Sequence, residues 1–375
     1  MKRTPPALVF ILSFSCLFVS PSFVLSAEDF SQERALEHLK VLAGSIGPRP
    51  LGSPQEKAAL TYFAEKIAEF GCQVEWQPVS GGKAILGGGT LNTASFNIIG
   101  RLPGQTEREI VIGAHIDSST PEIPGANDDG SGVATMLEVA RVLSREAHQS
   151  TLVFVAFCGE EAGLVGSKSF VEHYPLQNIA LMLQLDMTSD DSPLMLWIDR
   201  KKEQSPKWLV SASIEALHRL GYRNVDYPTI FQSLNGSLGG AGSDHEPFME
   251  KGIPAIGFVS DVRFPIHTRH DSLEYFRPDG LARSGKLILE LLSKFDGGVP
   301  DKKLGRYMLV LMGQRPLFIP VSLLAILTAL SLLVGLLALL FLFKKRKTGI
   351  SWEDDKKIRK SWPKLLVLEL LMLIV

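Results

Sequence analysis

Histidine and carboxylate side chains recur through the middle of the chain in one kind of place, just past an apolar run. His115 and Asp117 follow Glu109-Ile110-Val111-Ile112-Gly113-Ala114. Asp128 and Asp129 lie in a Gly- and Ser-rich turn, Gly125 to Gly132, ahead of an apolar helical pattern. Glu160 and Glu161 follow the run Thr151 to Phe157, and Asp186 ends the run Ile179 to Leu185. His267 and His270 lie in a loop after Ala255 to Val259. So many carboxylates gathered at one rim would repel one another and raise each other's pKa, and divalent cations remove that problem. Imidazole nitrogen with carboxylate oxygen suits zinc, with manganese or cobalt as weaker options. Two ions about 3.5–4 Å apart need a ligand between them, which a carboxylate supplies. A further carboxylate left off the metals can then take a proton from an activated water. Each piece has a plainer reading. Asp128-Asp129 could cap a helix, Glu160-Glu161 could favour a helix N-terminus through its dipole, and a single His267 is more often structural. The ordered set, each member at the end of an expected strand, carries the metal-site reading.

The elements that must position these groups follow from periodicity and punctuation. Apolar residues at helical spacing predict a helix from Phe30 to Leu42 with Ser31 as N-cap, and another from Pro54 to Phe70 that stops at Gly71. Ser80 to Gly89 reads as a glycine-rich loop and Phe96 to Gly100 as a short strand. Strands are expected at 109–114, 151–157, 179–185, 194–198 and 255–259. Helices are expected at 132–143, 163–173, 206–220 and 281–295. Strands alternating with helices predict an α/β fold, a mixed and mostly parallel central sheet with helices on both faces. Ligands in such folds collect at the carboxyl ends of the strands.

With these segments in place the sequence resembles the M28 family of zinc peptidases. The match rests on Gly113-Ala114-His115-Ile116-Asp117, Pro124 to Gly132, Phe157 to Ser167, Leu185-Asp186-Met187, Ser243-Asp244-His245-Glu246-Pro247-Phe248 and Ile266-His267-Thr268-Arg269-His270-Asp271. The resemblance implies a zinc-exopeptidase domain over residues 28–298. It implies two Zn2+ ions, with Co2+ or Mn2+ as substitutes: His115 and Asp186 on one, Glu161 and His267 on the other, Asp128 between them. It gives Glu160 as general base and then general acid, and sets Asp117 behind His115 on its far nitrogen. His245 falls in a supporting segment behind the site, and His270 falls on no ligand position. The implied activity is that of an aminopeptidase taking peptides with a free N-terminus. Glutaminyl-peptide cyclisation, carboxypeptidase specificity and a non-catalytic binding ectodomain stand as alternatives. Some relatives place a tyrosine near the site, whereas Asn235 to Gly242 offers Gly and Ser, a mobile lid or a plain surface loop.

The ends of the chain concern topology. In a chain of 375 residues with net charge -1, nothing resembles the basic excess of a nucleic-acid binder. Lys2 and Arg3, the apolar stretch Ala7 to Val19 and the small residues before Ala27 read as a signal peptide over 1–27, or else an uncleaved anchor. Of the three cysteines only Cys72 and Cys158 lie beyond it, and both are expected free and buried. Residues 299–316 read as a linker. Leu317 to Phe343 carries no charge and is long enough to span a bilayer. Lys344-Lys345-Arg346-Lys347 then sets residues 344–375 in the cytoplasm and the domain on the outer side. The final apolar stretch, Leu365 to Val375, is either an interfacial helix or the start of a second span.

Overall fold

The computed structural model describes residues 30–83, 90–190, 192–201, 203–227, 242–260, 265–313 and 315–346. The signal-peptide reading of 1–27, the tail from 347 onward and all of the Asn235–Gly242 loop except Gly242 lie outside these residues.

Helix α1 (Gln32–Leu39) starts where Ser31 accepts the Arg34 N–H on its hydroxyl at 3.3 Å, and a wider turn continues it to Ile46. Helix α2 (Pro54–Glu69) begins with Ser53 capping the Glu56 N–H at 3.0 Å and proline in the first turn, where its missing N–H costs nothing. Strands β1 (Gln73–Lys83) and β2 (Thr90–Leu102) follow, so the expected loop from Ser80 starts too early. The strand runs on through Gly81 and Gly82 and absorbs its irregularity as a register shift between Ser80 and Gly82. Then come β3 (Glu109–His115), α3 (Gly132–Leu143), β4 (Thr151–Phe157), α4 (Val165–His173) and β5 (Ile179–Asp186). Short strands β6 (Leu194–Trp197), β7 (Asp199–Arg200) and β8 (Glu203–Gln204) lead to α5 (Lys207–Arg219) and β9 (Val225–Asp226). After α6 (His245–Glu250) and β10 (Ala255–Val259), helix α7 (Asp279–Phe295) closes the domain.

Eight strands form one sheet in the order β1-β2-β4-β3-β5-β10-β6-β9. The central four, β4, β3, β5 and β10, are parallel, while β1, β2 and β6 pair antiparallel to their inner neighbours. Alternate side chains point to opposite faces. Ile110, Ile112 and Ala114 join the larger core beneath α1, α2, α3, α5 and α7. Val111, Val153, Val155 and Phe157 pack on the other side against Phe170 of α4 and Phe248 of α6. β3, β4 and β5 are buried at every position, which is why they read as unbroken apolar runs rather than alternating ones. Cys72 and Cys158 are free and buried.

The C-terminal part departs from the sequence reading. Residues 299–316 are no simple linker: β11 (Tyr307–Met312) pairs antiparallel with β12 (Arg315–Pro320), and Tyr307 and Leu309 belong to the main core. The long apolar helix α8 (Val321–Arg346) therefore begins four residues later than the apolar run does. Pro320, with no N–H to donate and a fixed φ, ends the strand and opens the helix. Val321–Leu340 has a mean hydropathy of 2.8 and no part of it is buried against protein, so it is long and apolar enough to cross a membrane.

Candidate metal centre

His115 closes β3, Asp186 closes β5, and Glu160-Glu161 lie on the turn between β4 and α4, all at the carboxyl edge of the parallel strands. Asp128 sits on the turn before α3 and His267 on the loop after β10. The fold brings these expected residues together as two adjacent groups of donor atoms. One holds His115, Asp186 and Asp129, the other Asp128, Glu161 and His267, and within each the atoms lie within 4.8 Å of one another. Asp128 stands between them. Its Oδ1 is 3.1 Å from His115 Nε2 and its Oδ2 is 3.0 Å from His267 Nε2. His267 Nε2 is also 3.0 Å from Glu161 Oε1, and His115 Nε2 is 4.0 Å from Asp186 Oδ1. Neither group includes Glu160.

Asp129 lies among the first group but its oxygens are already in use. They accept the backbone N–H of His115 at 3.2 Å, of Gly132 at 2.9 Å and of Met187 at 3.0 Å. One carboxylate thus ties the ends of β3 and β5 to the start of α3. Only glycine fits at 132, because a Cβ there would sit 2.3 Å from Asp129 Oδ1. Asp129 thus serves three backbone N–H groups at the meeting point of β3, β5 and α3.

Asp117 faces His115 Nδ1, with Oδ1 at 3.5 Å and its own carbonyl at 3.2 Å. It does a second job that the sequence did not announce. Oδ1 accepts the Glu160 N–H at 3.1 Å and Oδ2 the Glu161 N–H at 3.3 Å, so one side chain sets both the imidazole and the paired glutamates. Asp271 does the same for the neighbouring turn, taking the N–H of Asn127 at 2.6 Å and of Asp128 at 3.2 Å. Behind Asp186, Ser243 donates to Oδ2 at 2.9 Å and Gln184 at 3.3 Å. Gln184 Oε1 in turn accepts the His245 N–H at 2.9 Å. His245 is a buried support, and burial holds its pKa down to about 4. His270 is exposed and lies edge-on to Tyr275, away from both groups.

Arg49 was invisible as a functional residue in the sequence. It is fully buried and donates to the carbonyls of Ile116 at 2.6 Å, Pro124 at 2.5 Å and Gly125 at 2.8 Å. It thereby fixes the chain just before Asp117 and at the entry to the turn that carries Asp128. An arginine between two prolines gives no signal of this, since its acceptors are assembled only by the fold.

The electrostatics report a cluster short of positive charge. Burial pushes Glu160 well above the usual carboxylate range, and burial with the nearby Asp128 charge raises Glu161 to about 7. Burial likewise lifts Asp186 to about 6. Burial opposes ionisation of Asp128 too, but hydrogen bonds from His115 and His267 outweigh it and hold Asp128 below the usual range. Hydrogen bonding to Asp128 and then Glu161 raises His267 to about 11. Asp186 Oδ1 is buried and makes no hydrogen bond within the protein. Imidazole and carboxylate donors converging around that orphaned oxygen fit borderline-soft divalent cations such as zinc.

Residues 97–292, just over half of the chain, match Peptidase family M28. Aminopeptidase YwaD of Bacillus subtilis is 35% identical over 211 residues, covering 52% of this chain and 44% of that protein. The chain therefore spans less than half the length of that relative. Leucine aminopeptidase 1 of Paracoccidioides brasiliensis (strain Pb18) is 30% identical over 294 residues, covering 71% of each. Among solved structures, a zinc aminopeptidase from Bacillus subtilis superposes with a TM-score of 0.60 at 20% identity, covering 71% of this chain and 95% of that one. A glutaminyl cyclase from Porphyromonas gingivalis gives 0.59 at 21% identity, covering 71% and 98%. At those identities the superpositions establish the shared fold, and the family match together with the fold places this chain in peptidase family M28.

Proposed function

We propose that the chain is a dizinc aminopeptidase, exported and tethered by α8, that removes N-terminal residues from peptides. The observation that carries this reading is the division of Asp128, one oxygen toward His115 and the other toward His267. His115 and Asp186 would hold one zinc, Glu161 and His267 the other, with Asp128 shared. Bound there, the ions supply Lewis-acid polarisation of a carbonyl and lower the pKa of water. Glu160, outside both donor groups, takes the proton from the attacking water on its carboxylate and returns it to the leaving amine.

A small apolar cluster bears on the substrate. Met187, Met195 and Val259, with Trp197 and Ile266 against them, are set apart from the two main cores. Met187 follows Asp186 and Ile266 precedes His267, so this cluster borders the ligands. It supports an apolar side chain on the residue removed. The signal peptide over 1–27, the exported domain and a cytoplasmic 344–375 belong to the same proposal.

The test is hydrolysis of leucyl-, alanyl- and glutamyl-anilides, a glutaminyl peptide and an N-blocked peptide by wild type and Glu160→Gln. Loss of turnover by about 10²–10⁴ in the variant with zinc retained, and preference for the unblocked leucyl substrate, is the expected result. Cyclisation of the glutaminyl peptide without hydrolysis would move the chain to the cyclase reading.

A further inference from the structure

The C-terminal segment crosses beneath the sheet before it reaches α8. Lys302 donates its ammonium to the Ile179 carbonyl at the start of β5, and Gly305 and Gln204 exchange backbone hydrogen bonds. Tyr307 donates its N–H to Gln204 Oε1 at 2.9 Å and its hydroxyl to the Ser205 carbonyl at 2.6 Å. Ser205 in turn donates to the carbonyl of Ala255, where β10 begins. All these contacts lie at the amino ends of the parallel strands. The metal centre lies at their carboxyl ends, roughly 25 Å away across the eight residues of β5.

From that edge β11 and β12 run as a hairpin, paired from Tyr307↔Pro320 to Met312↔Arg315. Its two faces differ. Tyr307, Leu309, Leu311 and Phe318 pack on the domain core, and the Lys207 ammonium lies 5.7 Å from the ring centres of Tyr307 and Phe318. The opposite face presents Met308, Val310, Met312, Leu317 and Ile319, with Arg315 across from Met312 at its tip, and none of the five apolar residues belongs to a core cluster among the described residues. Met312 is 65% exposed and Leu317 43%. Arg306 and Arg315 stand exposed at the two ends of the hairpin. No residue separates β12 from α8, and the Val321 N–H reaches the Arg306 carbonyl at 3.4 Å.

We propose that the outer face of the β11–β12 hairpin rests in the headgroup–acyl boundary of the bilayer that α8 crosses, so that the metal centre faces away from the membrane. The inference rests on reading α8 as a span. Continuity with α8 names the occupant. A face of five apolar residues that runs directly into a membrane helix meets the same lipid, and the flanking arginines match anionic headgroups. A flexible linker would let the domain tumble, whereas a hairpin docked on the core and seated on lipid holds one orientation. Peptides would then reach the centre from bulk water.

The experiment uses the full chain, with Cys16→Ser, in vesicles of phosphatidylcholine and phosphatidylglycerol at 3:1. A nitroxide is placed by Met312→Cys, Leu317→Cys, Leu330→Cys and Glu172→Cys, and collisions with oxygen and with a water-soluble nickel complex are compared. The expected result is loss of nickel collisions and gain of oxygen collisions at 312 and 317 relative to 172, with 330 deeper still. Water-like values at 312 and 317 with 330 deep would overturn the proposal and leave the span standing. Shielding from both agents at 312 and 317 would show a protein cover, such as a second copy, and would also overturn it. Water-like values at 330 would remove the span and the proposal together.

Discussion

Replacing Asp117 by asparagine keeps the side chain's shape but removes its charge and one of its two acceptor oxygens. In the native site Oδ1 serves the Glu160 N–H and lies near His115 Nδ1, and Oδ2 serves the Glu161 N–H. The asparagine amide must turn an NH2 toward one of these donors, which leaves a buried N–H unpaired at a cost of about 1–3 kcal/mol. At 3.1 and 3.3 Å the two bonds are long, so the lower half of that range applies. Borne by the metal-bound state, where Glu161 and His115 must hold their ligating positions, about 1–2 kcal/mol corresponds to a loss of zinc affinity of roughly five- to thirtyfold, overlapping the roughly ten- to hundredfold range for partners of metal ligands. Asp117→Ala loses both acceptors and should fall further. The assay is zinc competition against a chelator, run beside thermal melts of the metal-free proteins. The reasoning is refuted if Asp117→Asn binds zinc as tightly as wild type, or if it melts earlier with unchanged affinity, which would make Asp117 a fold residue only.

Arg49→Lys is expected to lower thermal stability by about 3 kcal/mol or more, because a single ammonium cannot serve the carbonyls of Ile116, Pro124 and Gly125 together. Thermal melts of the metal-free variant check this, and an unchanged midpoint would contradict it. Zinc binding to the metal-free protein at pH 7.5 should release protons, since Asp128 and Glu161 hold His267 up at about 11, Asp117 and Asp128 raise His115 against the opposing effect of burial, and both rings must be neutral to ligate. Calorimetry in buffers of differing ionisation enthalpy reads the number directly, and zero release would contradict the assignment of both histidines.

Much of the fold lay open in the sequence because its central strands are buried on both sides. β3, β4, β5 and β10 appear as apolar runs, and His115, Glu161 and Asp186 stand at or just past the ends of three of them, with Asp128 on the turn before α3 and His267 on the loop after β10. α3 and β4 have the very bounds that the pattern predicts. The edges were harder to read. β1 carries Glu75, Gln77 and two glycines, because an edge strand faces solvent on much of its surface and need not look apolar. β11 lay inside the expected linker 299–316 and most of β12 inside the apolar run from Leu317, since strand and apolar helix share one composition and only Pro320 separates them. The supports of the site were hidden for another reason. Asp271 and Arg49 act on backbone N–H and carbonyl groups of residues far away in the sequence, and such acceptors and donors leave no trace in residue type.

The central claim is that two metal ions lie on either side of Asp128 while Glu160 stays off both. Zinc-edge anomalous scattering from crystals of the zinc-loaded protein tests it most directly. The account predicts two peaks, one ligated by His115 and Asp186, the other by Glu161 and His267, with Asp128 touching both. A single peak, or a peak ligated by Glu160, would contradict it.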